Sequence, residues 1–182
     1  MKLPGENVNG NLCRVAEASG SPEHQSTESH WLLENLDATH RLGRTLAKRL
    51  PARAVLLLKG ELGAGKTSLV QGLAQALGIE EPITSPTFAL AQHYPQGKPP
   101  LVHLDLYRLE RPAAADELFL QEEEEAKAMD ALLVVEWPER LSLKLTDAWN
   151  VNLKHQPSFS GELFTRSMIP HLQGAISSLP CH

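Results

Sequence analysis

Eight consecutive residues carry the strongest chemical signal in this chain. Gly60-Glu61-Leu62-Gly63-Ala64-Gly65-Lys66-Thr67 fits G-x-x-x-x-G-K-[ST] at every fixed position. Glycines let successive backbone N–H groups turn inward around a phosphate, where a β-carbon would obstruct them. A helix opening at Lys66 adds the positive end of its dipole. Lys66 is then expected to reach the β- and γ-phosphates, and the Thr67 hydroxyl to bind Mg²⁺. Glu61, Leu62, Gly63, Ala64, Gly65 and Ser68 complete the expected nucleotide-contacting run. The bland alternative is a glycine-rich strand-to-helix turn with a surface lysine. A dinucleotide-binding loop fits poorly, because Ser68 stands where the third glycine of a Gly63-x-Gly65 reading would fall.

Three other segments hold residues of the right types. Leu132-Leu133-Val134-Val135-Glu136 is an apolar run ending in an acid, the form expected of a strand that delivers a carboxylate to the metal side of a phosphate site. Asp130 and Glu139 compete for that role, but neither follows an apolar run. Thr84-Ser85-Pro86-Thr87 is either a Ser/Pro turn or a switch-like segment whose hydroxyls sense the γ-phosphate. In His103-Leu104-Asp105-Leu106-Tyr107-Arg108 the period of two puts His103, Asp105 and Tyr107 on one face. Asp105 there either orients the attacking water or a metal-bound water, or belongs to an Asp–Arg surface pair.

The elements that must position these groups follow from pattern. Ala54 to Leu58 is a continuous apolar run, as in a strand buried on both faces. Thr67 to Leu77 reads as a helix stopped by Gly78. Ahead of them, His30 to Leu33 reads as a short strand. Asp37 is the expected N-cap of a helix over Ala38 to Leu50, with Leu42, Leu46 and Leu50 on one face and Pro51 as its stop. Phe88 to Tyr94, Leu101 to Tyr107 and Leu132 to Glu136 are expected strands, and Pro112 to Met129 an expected helix. Trp149 to Leu153 alternates like an edge strand. Strands alternating with helices imply an α/β sheet with parallel pairs.

Composition bounds the function. The 182 residues suit one domain and need no disulfide or metal staple. Lys plus Arg is 17 against 22 Asp plus Glu, for a net charge of -5, so autonomous tight nucleic-acid binding is not expected. No run approaches the length of a membrane helix. Cys13 and Cys181 have neither CxxC spacing nor a zinc-like His partner, which favours a reducing, cytoplasmic setting. Residues 1–28, rich in Gly, Asn, Ser and Glu, are expected to form a flexible tail, without the features of a signal or transit peptide. The acidic run Glu122 to Glu125 reads as a solvated helix face. Residues 29–182 are then one domain.

The set GELGAGKTSLVQGLAQALG, ITSPTFAL, HLDLYRL and VVEWPERL, in this order, resembles the bacterial TsaE (YjeE) ATPases of tRNA threonylcarbamoyladenosine biosynthesis, over roughly Asp37 to Leu141. The resemblance implies a P-loop NTPase-like three-layer sandwich with a mostly parallel central sheet and antiparallel edge strands. It implies ATP and Mg²⁺ as ligands, ATP hydrolysis that lets threonylcarbamoyl transfer turn over, TsaB and TsaD as partners, and tRNA met only through them. Lys66 becomes the phosphate lysine, Thr67 and Glu136 the metal side, and Asp105 the residue that positions water or metal. Ser85 and Thr87 fall in the switch-like segment. Trp137 lies beside the nucleotide site or partner face, and Thr39 in an N-terminal nucleotide-contacting turn. Three features depart from the family: the first 28 residues, the acid-rich stretch ADELFLQEEEEAKAMD, and Gly161-Glu162 where Gly-Arg is usual, with Arg166 as the nearby substitute. A small-molecule kinase and a non-catalytic nucleotide-gated binding module are the competing functions. The kinase reading lacks a clustered arginine lid, since Arg108, Arg111 and Arg140 are scattered.

Overall fold

A computed structural model describes the backbone of residues 11–17 and 28–155, and side chains from 30 to 155. Seven strands form one sheet: β1 (Asn11–Glu17), β2 (Glu28–Leu33), β3 (Val55–Gly60), β4 (Ala91–Tyr94), β5 (Leu101–Asp105), β6 (Leu132–Glu136) and β7 (Ala148–His155). Their order is β2-β1-β7-β3-β6-β5-β4. The centre, β7-β3-β6-β5, is parallel throughout. β4 lies antiparallel on one side, and β1 and β2 are antiparallel on the other. Helices α1 (Leu36–Ala47) and α2 (Lys66–Ala76) cover one face and α3 (Pro112–Ala128) the other. This is the three-layer sandwich with a parallel centre and antiparallel margins that the motifs imply.

Two-sided burial explains the central strands. Leu56 and Leu58 join the core under α1 and α2, while Leu57 joins the core under α3. Leu132 and Val134 face the first core, and Leu133 and Val135 the second. That parity puts Glu136 on the α1/α2 face at the strand's end.

The helices meet across glycine. A β-carbon on Gly72 would fall 2.3 Å from the backbone oxygen of His40, and one on Gly43 would fall 2.3 Å from that of Leu69. The pair lets the α1 and α2 backbones touch, fixing α2 and the loop at its head.

Several boundaries differ from the sequence expectation. The N-cap of α1 is Asn35, not Asp37: its side chain accepts the Ala38 N–H at 2.9 Å. Asp37 sits in the first turn, where its charge suits the helix dipole, and pairs with Arg41. β5 stops at Asp105 because that side chain accepts the Tyr107 N–H at 2.9 Å, closing a turn. β4 starts at Ala91, since Leu90 takes a left-handed conformation with φ 67° and its N–H bonds back to Pro86. β7 is no edge strand: β1 and β3 flank it.

The tail expectation over residues 1–28 is corrected at Asn11–Glu17, which form β1. Composition argued that this segment buries too little apolar surface. Its backbone instead finds ladder partners on both edges, β2 and β7, and those bonds offset the ordering entropy. Residues 1–10 and 18–27, with Gly161, Glu162 and Arg166, lie outside the described residues.

Candidate functional site

The carboxyl ends of β3, β6 and β5 open together into one cleft of about 320 Å³. Crevices at the carboxyl ends of parallel strands are where open α/β sheets bind ligands. Register sets the arrangement: Leu58 lies beside Glu136, and Glu136 beside Asp105. One acid from each of two adjacent strands thus meets the loop that leaves β3.

The loop is built on positive φ. Gly60, Gly63 and Gly65 have φ of 143°, 80° and 95°. Gly65 caps α2 with no side-chain hydrogen bond, so no capping side chain competes with an anion for the helix's first N–H groups. Leu62, Gly63, Gly65, Lys66, Thr67 and Ser68 all line the cleft. Ala64 is buried behind it, and its N–H bonds the Glu61 carbonyl. Glu61 faces the other flank of the loop, in a second cleft of about 450 Å³ shared with Glu139, Asn152 and His155.

Lys66 is buried, and its ammonium donates to the carbonyls of Gly60 at 2.7 Å and Glu61 at 3.0 Å. It also lies 3.9 Å from the centre of the Trp137 ring, a cation–π contact. Burial pulls its pKa below the ordinary 10.5, against the opposing pull of Glu136, Glu139 and Asp105. Trp137 is held at φ 60°, ψ 48°, with its N–H on the Leu58 carbonyl, and its ring tilts against Tyr107 with centroids 4.9 Å apart.

The Thr67 hydroxyl donates to Glu136 Oε1 at 2.9 Å. Glu136 thereby accepts the hydroxyl's hydrogen bond, which leaves the threonine oxygen's lone pairs for a cation. One carboxylate and one hydroxyl beside a phosphate loop suit Mg²⁺, which keeps waters and shares phosphate oxygens rather than occupying an all-protein cage. Among the described residues no three His, Cys, Asp or Glu side chains converge as such a cage.

Asp105 carries a separate set of bonds. Its Oδ2 accepts from Ser85 Oγ at 2.5 Å and Thr87 Oγ1 at 2.8 Å, and the two hydroxyls are 2.7 Å apart. The segment expected to be switch-like is therefore tied to the acid expected to position water, and all three groups line the cleft. Phe88, next in the segment, is 85% exposed and lies under the Arg108 guanidinium at 4.0 Å.

Thr39 does not line the cleft. It is buried in the first turn of α1, its hydroxyl 3.3 Å from the Asn35 carbonyl and its methyl packed against Gly65. Two residues outside the expected set belong to the site. Tyr107 lines the cleft, and His103 sits fully buried behind it, with Nε2 2.9 Å from Glu136 Oε1. The alternation that put His103, Asp105 and Tyr107 on one face was the available signal for both.

The sequence model described as "Threonylcarbamoyl adenosine biosynthesis protein TsaE" matches residues 33–163. The tRNA threonylcarbamoyladenosine biosynthesis protein TsaE of Synechocystis sp. is 47% identical over 114 residues, covering 61% of this chain and 71% of that protein. Its namesake in Nostoc sp. is 45% identical over 124 residues, covering 68% and 76%. The crystal structure of Bacillus subtilus YdiB superposes with a TM-score of 0.55 at 28% identity, covering 72% of this chain and 80% of that one. The chain belongs to the TsaE family, whose proteins take part in tRNA threonylcarbamoyladenosine biosynthesis.

Proposed function

We propose that this protein is a Mg²⁺-dependent ATPase that sustains threonylcarbamoyl transfer to the adenosine beside the tRNA anticodon, in the cytoplasm and with TsaB and TsaD as partners. The observation that carries the reading is the convergence of Lys66, Thr67, Glu136 and Asp105 on one cleft at the head of α2. The loop's N–H groups and Lys66 take the charge of the phosphates. Thr67 and Glu136 hold Mg²⁺, which neutralises charge developing on the phosphate oxygens when bound. Asp105 aligns the attacking water and accepts its proton. Leu62, Tyr107 and Trp137 wall the cleft. Isolated turnover is slow, because no arginine lines the cleft among the described residues and a partner is left to complete it. With an acidic balance, the chain meets tRNA through its partners.

A second reading draws on the loop around Ser85. Nucleotide alone would reset the hydroxyl contacts to Asp105 and so present Phe88 to a partner, without hydrolysis. The test is multiple-turnover tRNA threonylcarbamoylation with TsaB, TsaD and preformed threonylcarbamoyl-adenylate. Wild type is expected to sustain turnover and Lys66→Ala to stall. Equal support by both would pass the function to the binding-module reading.

A further inference from the structure

His103 is wholly buried behind the cleft on β5, one strand away from Glu136, and the ATPase reading above gives it no task. Its Nε2 lies 2.9 Å from Glu136 Oε1, the oxygen that also accepts from Thr67. A carboxylate oxygen accepts, so Nε2 carries the proton and donates. The other ring nitrogen, Nδ1, is buried with no hydrogen-bond partner among the described residues. A ring that leaves one polar atom orphaned in the core adds little to stability there. An apolar side chain at this position would avoid that cost. What the imidazole supplies is a donor aimed at Glu136.

We propose that His103 is a positioning residue for the metal side of the site. Its N–H and the Thr67 hydroxyl clamp Oε1 of Glu136 from two directions, which fixes the carboxylate's rotation and its approach to the cleft. The inference rests on the Mg²⁺ reading of Thr67 and Glu136. Ligating carboxylates are themselves held by hydrogen bonds, and loss of such a support characteristically lowers metal affinity by about 10–100-fold. The backbone beside it is independently fixed, since Leu106 N–H bonds the Glu136 carbonyl and Trp137 N–H the Leu58 carbonyl. Removing the imidazole therefore frees the carboxylate without moving its strand.

The experiment compares wild type, His103→Leu and His103→Gln. The glutamine amide nitrogen stands near the place of Nε2 and restores a donor, while leucine fills the space without one. Mn²⁺ affinity in the presence of ADP is read by electron paramagnetic resonance, ADP affinity without metal by calorimetry in EDTA, and the thermal midpoint by circular dichroism. His103→Leu is expected to melt no lower than wild type and to bind metal-free ADP within about 2-fold, yet to lose about 10-fold or more in Mn²⁺ affinity. His103→Gln is expected to recover most of that loss. Wild-type Mn²⁺ affinity in His103→Leu overturns the inference and leaves the ATPase reading standing. So does a parallel loss of metal-free ADP binding and thermal midpoint in both variants, which marks a purely structural histidine. If wild type itself binds no Mn²⁺ with ADP, the metal reading of Thr67 and Glu136 falls, and the inference falls with it.

Discussion

Replacing Asp105 by asparagine and by alanine separates the anchoring its hydrogen bonds show from the proton-acceptor role proposed for it. It accepts three hydrogen bonds, from Ser85, Thr87 and the Tyr107 N–H. Bonds to a charged group contribute about 1.5–3 kcal/mol each, so the three together have a ceiling of about 4.5–9 kcal/mol. Alanine does not forfeit all of that. The two hydroxyls are 2.7 Å apart and can rebond to each other or to solvent, leaving Tyr107 N–H as the main orphan. Asp105→Ala is therefore expected to destabilise the fold by about 2–4 kcal/mol. Asparagine keeps an oxygen for Tyr107 and turns its amide toward hydroxyl oxygens that accept as readily as they donate, so the cost falls to about 1 kcal/mol or less. It cannot accept a proton from water, and kcat is expected to drop by about 10²–10⁴-fold. Urea denaturation gives the stabilities, and phosphate release at saturating Mg-ATP with the partner proteins present gives the rates. Wild-type turnover by Asp105→Asn would refute the proton-acceptor role and leave Asp105 a loop anchor. Equal stability of the alanine and asparagine variants would refute the anchoring.

Three further outcomes are expected. Gly72→Ala puts a β-carbon 2.3 Å from a backbone oxygen of α1, so the helices must part, and urea denaturation should show a loss of about 1–3 kcal/mol or more. Lys66 has its pKa lowered below 10.5, so it loses its charge at a lower pH than a free lysine. ADP affinity, followed by calorimetry, is expected to decline on the alkaline side before pH reaches 10.5, and in Lys66→Met that decline should vanish. Asp116 is held below its ordinary 3.8, chiefly by the Ser142 hydroxyl and then by the N–H groups of Ser142 and Leu143. A depressed folded pKa stabilises above the unfolded value and ceases to do so as pH falls through the folded one. The urea-midpoint gap between wild type and Asp116→Ala should therefore be full near pH 6 and close below about pH 3.8.

The strand, loop and helix over residues 55–76 were legible because their causes are local: an apolar run, a glycine motif and an apolar helical face in direct succession. Glu136 was legible for the same reason, as the last residue of an unbroken apolar run. What sequence left hidden was set at long range. Residues 11–17 sit inside a polar, glycine-containing stretch that hides them, and they become a strand by pairing with β2 and with β7, more than 130 positions away. β7 alternates like a half-exposed strand, yet β1 closes its outer edge. At α1 two residues with capping side chains, Asn35 and Asp37, stand two apart. Sequence does not say which will close on the Ala38 N–H.

β5 is the most instructive case. Alternating polar and apolar residues normally mean one wet face, and here both faces are covered. The polar residues are buried because each has a partner that only the sheet register brings near. His103 reaches diagonally to Glu136 on β6, and Asp105 gathers the hydroxyls of the segment before β4. Two positions on one strand thus serve the two halves of the proposed site: one holds the carboxylate proposed for the metal, and the other ties the segment proposed to respond to the γ-phosphate. The two side chains lie two residues apart on a strand paired with both β4 and β6, so a change at one is expected to be felt at the other. On the proposed function, that is a route by which nucleotide at Lys66 and Thr67 would be felt at Phe88 on the surface. In a double-mutant cycle, His103→Leu and Asp105→Asn should then be non-additive in kcat by more than about 0.5 kcal/mol, whereas two independent supports would give additive losses.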